Sequence, residues 1–515
     1  MKKSQMIKDA VGALSLANLC FILGWSALLD TTLNIPGYNQ YLSIIISVLS
    51  LALLLWIAIT LARRSKSPLP LRIAELVFPL SLLVPFNCAL QIFWPEGKVI
   101  IEIAFVALAI LIISISDIKP WDRKLVRFAA TATLILSPFV LLTIGQAAAA
   151  LTKFSERPLA QPVAREKAGP RVLWMVFDEM DYQIAFSIRP ASLELPEFDR
   201  FRNEAIIATH AYPPADSTGL SMPALITGRR VVKTDPISPS EITITFDDAN
   251  EPVSLSQYPT LFSKAREANL NTAVIGWYIP YGRVIGKDLN YCVWQDVDST
   301  LRDDLLRNFE DLVNSIPLGT LLSQKFGIKP RIERQQHLRS FLTVQKEANR
   351  VAADPNYEMI LVHWPMPHPP YVYNRRTEDF DLSGAGSYLD NLRLADRALG
   401  ELRQSMEDAG IWDDTIVLVT SDHWWKTDYW QQTYMWAKAD DEFLLRETDH
   451  RVPFLLKLAG QKQSVYYEQE FDTILTQNLL LELLKGDMVT PDSVAVWLDR
   501  HRSTVEITYR SDKHD

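Results

Sequence analysis

The chain has 515 residues, 48% of them apolar and 22% charged, with a net charge of −9. Mean hydropathy is nonetheless close to zero, which argues for a membrane part joined to an ordinary soluble part rather than either alone. Residues 1–151 hold 12 Lys or Arg against 7 Asp or Glu, so the remainder carries −14 of that net charge, and an acidic domain of this kind is a poor partner for nucleic acid.

Uncharged runs occupy residues 11–29, 41–61, 76–94 and 128–151, and a further run at 99–116 is broken only by Glu102. Each approaches the roughly 20 residues that cross a bilayer as a helix. Buried core helices are the plainer reading, but five such runs with almost no polar face would leave a soluble protein without an exterior. Lys2, Lys3 and Lys8 precede the first run; Arg63, Arg64, Lys66 and Arg72 follow the second, and Lys119, Arg123, Lys124 and Arg127 follow the fourth. The positive-inside rule then puts the N-terminus in the cytoplasm and, after five crossings, everything beyond residue 151 in the periplasm or outside the cell. Lys2 and Lys3 also suit a cleaved signal peptide, except that further spans follow. The expected division is a five-helix transmembrane domain at 1–151, a linker at 152–170 that runs along the membrane surface, and an outer domain at 171–515. Cys20 and Cys88 fall in expected spans and Cys292 stands alone in the outer domain, so that domain holds no internal disulfide despite its oxidising location.

Beyond the linker, apolar β-branched runs at 171–177, 272–277, 359–363, 415–420 and 452–458 alternate with helical patterns such as 261–268 and 388–409. This predicts an α/β sandwich with a mostly parallel central sheet, whose functional residues gather at the carboxyl ends of strands. Five segments carry chemistry. RVLWMVFDEMD ends a strand on Asp178 and Glu179, two carboxylates able to hold a cation, although acids there more often cap the next helix. ADSTGLSMPALITGRR sets Thr218 before a short apolar helix expected to start near Gly219 or Leu220, where helix-end charge stabilises an alkoxide or a phosphate; a plain N-cap is the ordinary alternative. EMILVHWPMPHPPY places His363 and His368 at a strand end within a proline-rich loop that is not expected to be regular structure. TIVLVTSDHWW ends an apolar strand on Asp422 and His423, oxygen and nitrogen donors that suit zinc or manganese better than calcium. DHRVPFLLKLAGQ sets His450 before another strand. A single histidine is usually structural, yet four of the eight fall in these strand-end segments.

The succession FDE, TxxSMP, HWPMPHPP, TSDH and HRVPF, over residues 171–461, resembles the sulfatase-like branch of the alkaline phosphatase superfamily. Five helices followed by such a domain is similar to the layout of membrane phosphoethanolamine transferases and lipoteichoic acid synthases. The resemblance implies Thr218 as nucleophile and further metal ligand, Glu179, Asp422 and His423 as metal ligands with Asp178 as an additional one, His363 and His368 as catalytic groups, and His450 on the substrate or a second ion. It implies a divalent metal, zinc first and manganese or magnesium otherwise. It also implies a phospholipid donor and an envelope glycan or lipid acceptor, with a phosphoryl head group such as phosphoethanolamine passing through a phosphothreonine intermediate. Three departures stand out: the Cys-x-Pro-x-Arg motif of sulfatases is missing, which disfavours sulfate ester hydrolysis; Trp424 replaces the glycine usual after Asp-His; and the transferases' disulfides are missing. Hydrolysis by the same site, as a phosphodiesterase or phosphatase, and a non-catalytic envelope-assembly role are the competing readings.

Overall fold

The computed structural model describes residues 3–29, 37–64, 134–152, 157–164, 169–238, 240–295, 300–316, 327–444, 446 and 448–502, with isolated positions 84, 87, 103, 104, 106, 107, 111 and 319. The chain divides into a helical unit, formed by residues 1–31, 36–154 and 299–332, and an α/β unit formed by 32–35, 155–298 and 333–515.

In the helical unit the first apolar run forms two helices, Lys3–Cys20 and Ile22–Leu29, and the second forms Tyr38–Arg64. The last forms Ser137–Leu151, with Pro138 in its first turn, where a missing N–H costs nothing. The expected spans at 76–94 and 99–116 fall almost wholly outside the described residues. Among the described residues one helix, Tyr38–Leu61, is long and apolar enough to cross a membrane, and Ser137–Leu151 is apolar but shorter. The amphipathic helix Leu301–Ser315 belongs to this unit although it comes from the middle of the stretch expected to form the outer domain.

The α/β unit is built on eight strands: β1 Arg171–Asp178, β2 Ile206–Ala208, β3 Thr272–Trp277, β4 Tyr291–Gln295, β5 Met359–Pro367, β6 Thr415–Ser421, β7 Phe454–Lys457 and β8 Val465–Tyr467. Their order is β8-β2-β7-β6-β1-β5-β3-β4, and β7 alone runs antiparallel to its neighbours. Val172, Trp174 and Val176 of β1 enter one core cluster while Leu173, Met175 and Phe177 enter the other. Alternation onto two covered faces is why this central strand is apolar throughout.

Two segments depart from expectation. The linker is laced to the α/β unit: Ala160 N–H donates to Leu289 O at 2.8 Å and Val163 N–H to Asn271 Oδ1 at 2.8 Å. The segment around His363 is not an irregular loop, since β5 continues through Pro365 to Pro367. Its pairing with β3 ends at Val362, and its register with β1 shifts after Trp364. Proline is tolerated there because the ladder no longer needs its N–H.

Candidate active site

In-register pairing brings the chemistry together. Phe177 of β1 lies opposite Ser421 of β6, so the residues that follow, Asp178 and Asp422, emerge side by side at the sheet's carboxyl edge. His423 is next in the chain, and the helix Thr218–Thr227 presents Thr218 at its first position. Thr218 Oγ1 lies 3.4 Å from Asp178 Oδ1 and 3.4 Å from His423 Nε2. His423 Nε2 is 3.7 Å from Asp178 Oδ1 and 3.5 Å from Asp422 Oδ2. Donor atoms of Asp178, Asp422 and His423 all lie within 4.8 Å of one another.

These separations are long for hydrogen bonds but suit donors sharing a cation. A tetrahedral ion with ligands at about 2.0–2.1 Å spaces them by about 3.3 Å. Asp422 Oδ2 is buried without a well-formed hydrogen bond, an atom that a cation would satisfy. Asp422 Oδ1 instead accepts from the N–H groups of His423 at 2.8 Å and Glu179 at 3.2 Å, which aims the carboxylate. His423 Nδ1 lies 2.9 Å from Trp424 O; donating there leaves Nε2 with its lone pair toward Thr218. Two carboxylates, an imidazole and a hydroxyl therefore fit a borderline divalent metal.

The buried charges act on one another. Burial, joined by the negative charges of Asp422 and Glu179, raises the Asp178 carboxyl well above its ordinary range, against a hydrogen bond from Trp277 Nε1 at 3.0 Å. Burial works the same way on Asp422, yet the imidazoles of His423 and His363 and the Thr218 hydroxyl hold it below that range. Asp178 therefore holds its proton more tightly than an exposed aspartate does, and a metal binding there competes with that proton.

The two adjacent carboxylates lie differently with respect to the donor group. Asp178, the additional ligand in the sequence reading, joins the donor group, whereas Glu179 stands outside it. Glu179 has a left-handed φ of 64°, and its carboxylate accepts from Trp430 Nε1 at 2.7 and 3.0 Å. Burial pushes its pKa up to about 8, against Lys426 and Trp430. The turn is held by Tyr388, whose hydroxyl donates to Glu179 O at 2.7 Å, and by Met180 N–H donating to Ser421 Oγ at 2.8 Å. Such contacts offset the roughly 1–3 kcal/mol of a non-glycine residue in this region.

His363 is fully buried beside Asp422 and His423, with Nδ1 3.1 Å from Tyr281 Oη. His368 packs its ring 5.3 Å from Trp277 and 4.9 Å from Trp430. Burial pulls His363 down to about 4 and, aided by His337, His368 to about 3. Burial thus favours the neutral form of both imidazoles. His450 is not part of the donor group; its ring stacks on Trp424 with centroids 4.2 Å apart. Trp277, Trp430, Lys426 and His337 escaped the sequence reading; only Trp277, which closes an expected strand, carried a positional signal.

A family model described as Sulfatase matches residues 170–484. No curated protein matches the chain. Similar solved structures include an alkaline phosphatase superfamily protein from Vibrio parahaemolyticus, 18% identical over 66% of this chain and 73% of that one, with a TM-score of 0.39. Others are the phosphonate monoester hydrolase of Agrobacterium radiobacter, 14% identical over 61% and 74% with a TM-score of 0.39, and a sulfatase from Pseudoalteromonas sp., 15% identical over 64% and 74% with a TM-score of 0.42.

Proposed function

The chain belongs to the sulfatase family, within the sulfatase-like branch of the alkaline phosphatase superfamily, and is an enzyme of that metal-dependent type; from this premise we propose that it transfers a phosphoryl head group from a membrane phospholipid to an envelope glycan or lipid. The observation that carries the reading is Thr218, whose hydroxyl lies 3.4 Å from both Asp178 and His423 at the first residue of a helix. Thr218 stands where a nucleophile is needed, and the missing Cys-x-Pro-x-Arg motif speaks against sulfate esters.

Asp178, Asp422, His423 and Thr218 would hold the cation, zinc first and manganese or magnesium otherwise. When bound, it supplies positive charge that favours the ionised hydroxyl and polarises the phosphoryl oxygen. Thr218 Oγ1 forms the bond to phosphorus as the diacylglycerol oxygen leaves, giving phosphothreonine; the acceptor hydroxyl then takes the head group and restores Thr218. The neutral imidazoles of His363 and His368 take the proton of each attacking hydroxyl, first that of Thr218 and then that of the acceptor. They pass it to the departing oxygen, first that of diacylglycerol and then that of Thr218. The positive helix end at Thr218 steadies the added phosphate.

In this proposal residues 1–151 form five transmembrane helices with the N-terminus cytoplasmic, and the catalytic part faces the periplasm or cell exterior. The apolar helix Tyr38–Leu61 supports that placement, as do Arg63 and Arg64 beyond its end. With no ATP on that side, a phospholipid is the available activated donor. Thr218→Ala is expected to abolish turnover of head-group-labelled phospholipid while leaving metal content and fold intact. Full activity in that variant would remove Thr218 as nucleophile. Label recovered on an envelope acceptor marks a transferase, and free head group marks a hydrolase.

A further inference from the structure

The helix Leu301–Ser315 has its polarity inverted. Asp303, Asp304, Asn308 and Glu310 are turned into the helical unit, all less than one-tenth exposed, whereas Leu306, Phe309 and Ile316 face outward at 40%, 55% and 47% exposure. Positions 306, 309, 313 and 316 recur at three and four residues, so Val313 completes one apolar stripe along the helix. A helix bordering water does the opposite, because exposing large apolar groups while burying carboxylates loses on both sides.

Its anchor points fix its depth. Asn308 Nδ2 donates to Ser43 Oγ at 3.0 Å and to Ser47 Oγ at 3.2 Å, both on the helix Tyr38–Arg64. Arg63 and Arg64 mark the cytoplasmic end of that helix, so Tyr38 marks the outer end. Ser43 and Ser47 then lie roughly 7–14 Å below that end at 1.5 Å per residue. That is within the outer half of a hydrocarbon core about 30 Å thick. Asn87 Nδ2 adds a bond to Ser315 O at 3.0 Å, and Leu312 packs against apolar side chains of the same unit. The helix Tyr38–Arg64 exposes its own apolar face at Leu49, Leu53, Leu54, Ile57 and Leu61.

We infer that Leu301–Ser315 lies within the outer leaflet, with the stripe formed by Leu306, Phe309, Val313 and Ile316 against lipid acyl chains. Chain from the middle of the outer part thus returns to the bilayer as a membrane-embedded element that no apolar run of the sequence announces. The inference rests on the membrane placement proposed above.

The test uses the full-length protein in phosphatidylcholine nanodiscs, with Cys20, Cys88 and Cys292 replaced and single cysteines introduced by Leu306→Cys, Phe309→Cys, Leu54→Cys or Tyr466→Cys. Each is labelled with an environment-sensitive fluorophore and challenged with lipids bearing a nitroxide on the acyl chain. Loss of fluorescence is expected at 306 and 309 to the extent seen at 54, with none at 466 on the α/β unit. Quenching at 54 with 306 and 309 behaving like 466 would overturn the inference while leaving the membrane placement standing. No quenching at 54 would overturn both. Using 306 and 309 in parallel guards against one variant that fails to fold.

Discussion

Asp422 has the most direct test of its role, because one oxygen is spoken for by backbone N–H groups and the other is buried without a good partner. Asp422→Ala is expected to lose bound metal together with activity, measured by elemental analysis of the purified protein; unchanged metal content would mean the ion sits elsewhere. Asp178 sets the pH dependence. Its folded carboxyl is raised well above the ordinary value by burial and by its charged neighbours, so the metal-free site holds a proton into the range where an exposed aspartate has lost it. Metal entry releases that proton, and affinity therefore rises with pH. Titration calorimetry with zinc should show weaker binding at pH 6 than at pH 8, and the reverse slope would contradict the placement of Asp178 among the ligands. Thr218, Asp422 and His423 were legible in the sequence because each sits where a regular apolar segment begins or ends. Which of Asp178 and Glu179 joins the donor group was not legible: Glu179 follows the end of β1 and takes a left-handed φ, where strand alternation no longer applies.

At the level of elements, two parallel neighbours of β1 deliver ligands or imidazoles to one edge, and strand periodicity was enough to foresee that edge. The aromatic segment after β6 was not foreseeable. Trp430 reaches back across 251 positions in the chain to hold Glu179, and its ring also meets His368. Such distant pairing leaves no local pattern. Trp430→Phe keeps the ring contact but leaves the buried Glu179 carboxyl group without that donor, at a cost of about 1–3 kcal/mol. The expected readout is a lower thermal unfolding midpoint for the purified protein, and an unchanged midpoint would show that the indole bond adds nothing net. His450, expected on the substrate or a second ion, stacks on Trp424, the residue after His423.

For the whole molecule, composition alone separated an apolar N-terminal region from an acidic catalytic part, and the alternation of strands and helices matched the architecture of the latter. The helix Leu301–Ser315 was hidden because its mixed sequence resembles any amphipathic surface helix, and only its inverted packing distinguishes it. If the stripe is immersed among acyl chains and the donor is a phospholipid, as proposed, a kinetic consequence follows. Donor would arrive by lateral diffusion, so supply becomes an areal density rather than a bulk concentration. Diluting the donor with inert phospholipid at constant total donor should slow turnover in proportion to its mole fraction in mixed vesicles. A rate that follows bulk amount instead would mean that the enzyme captures its donor from solution.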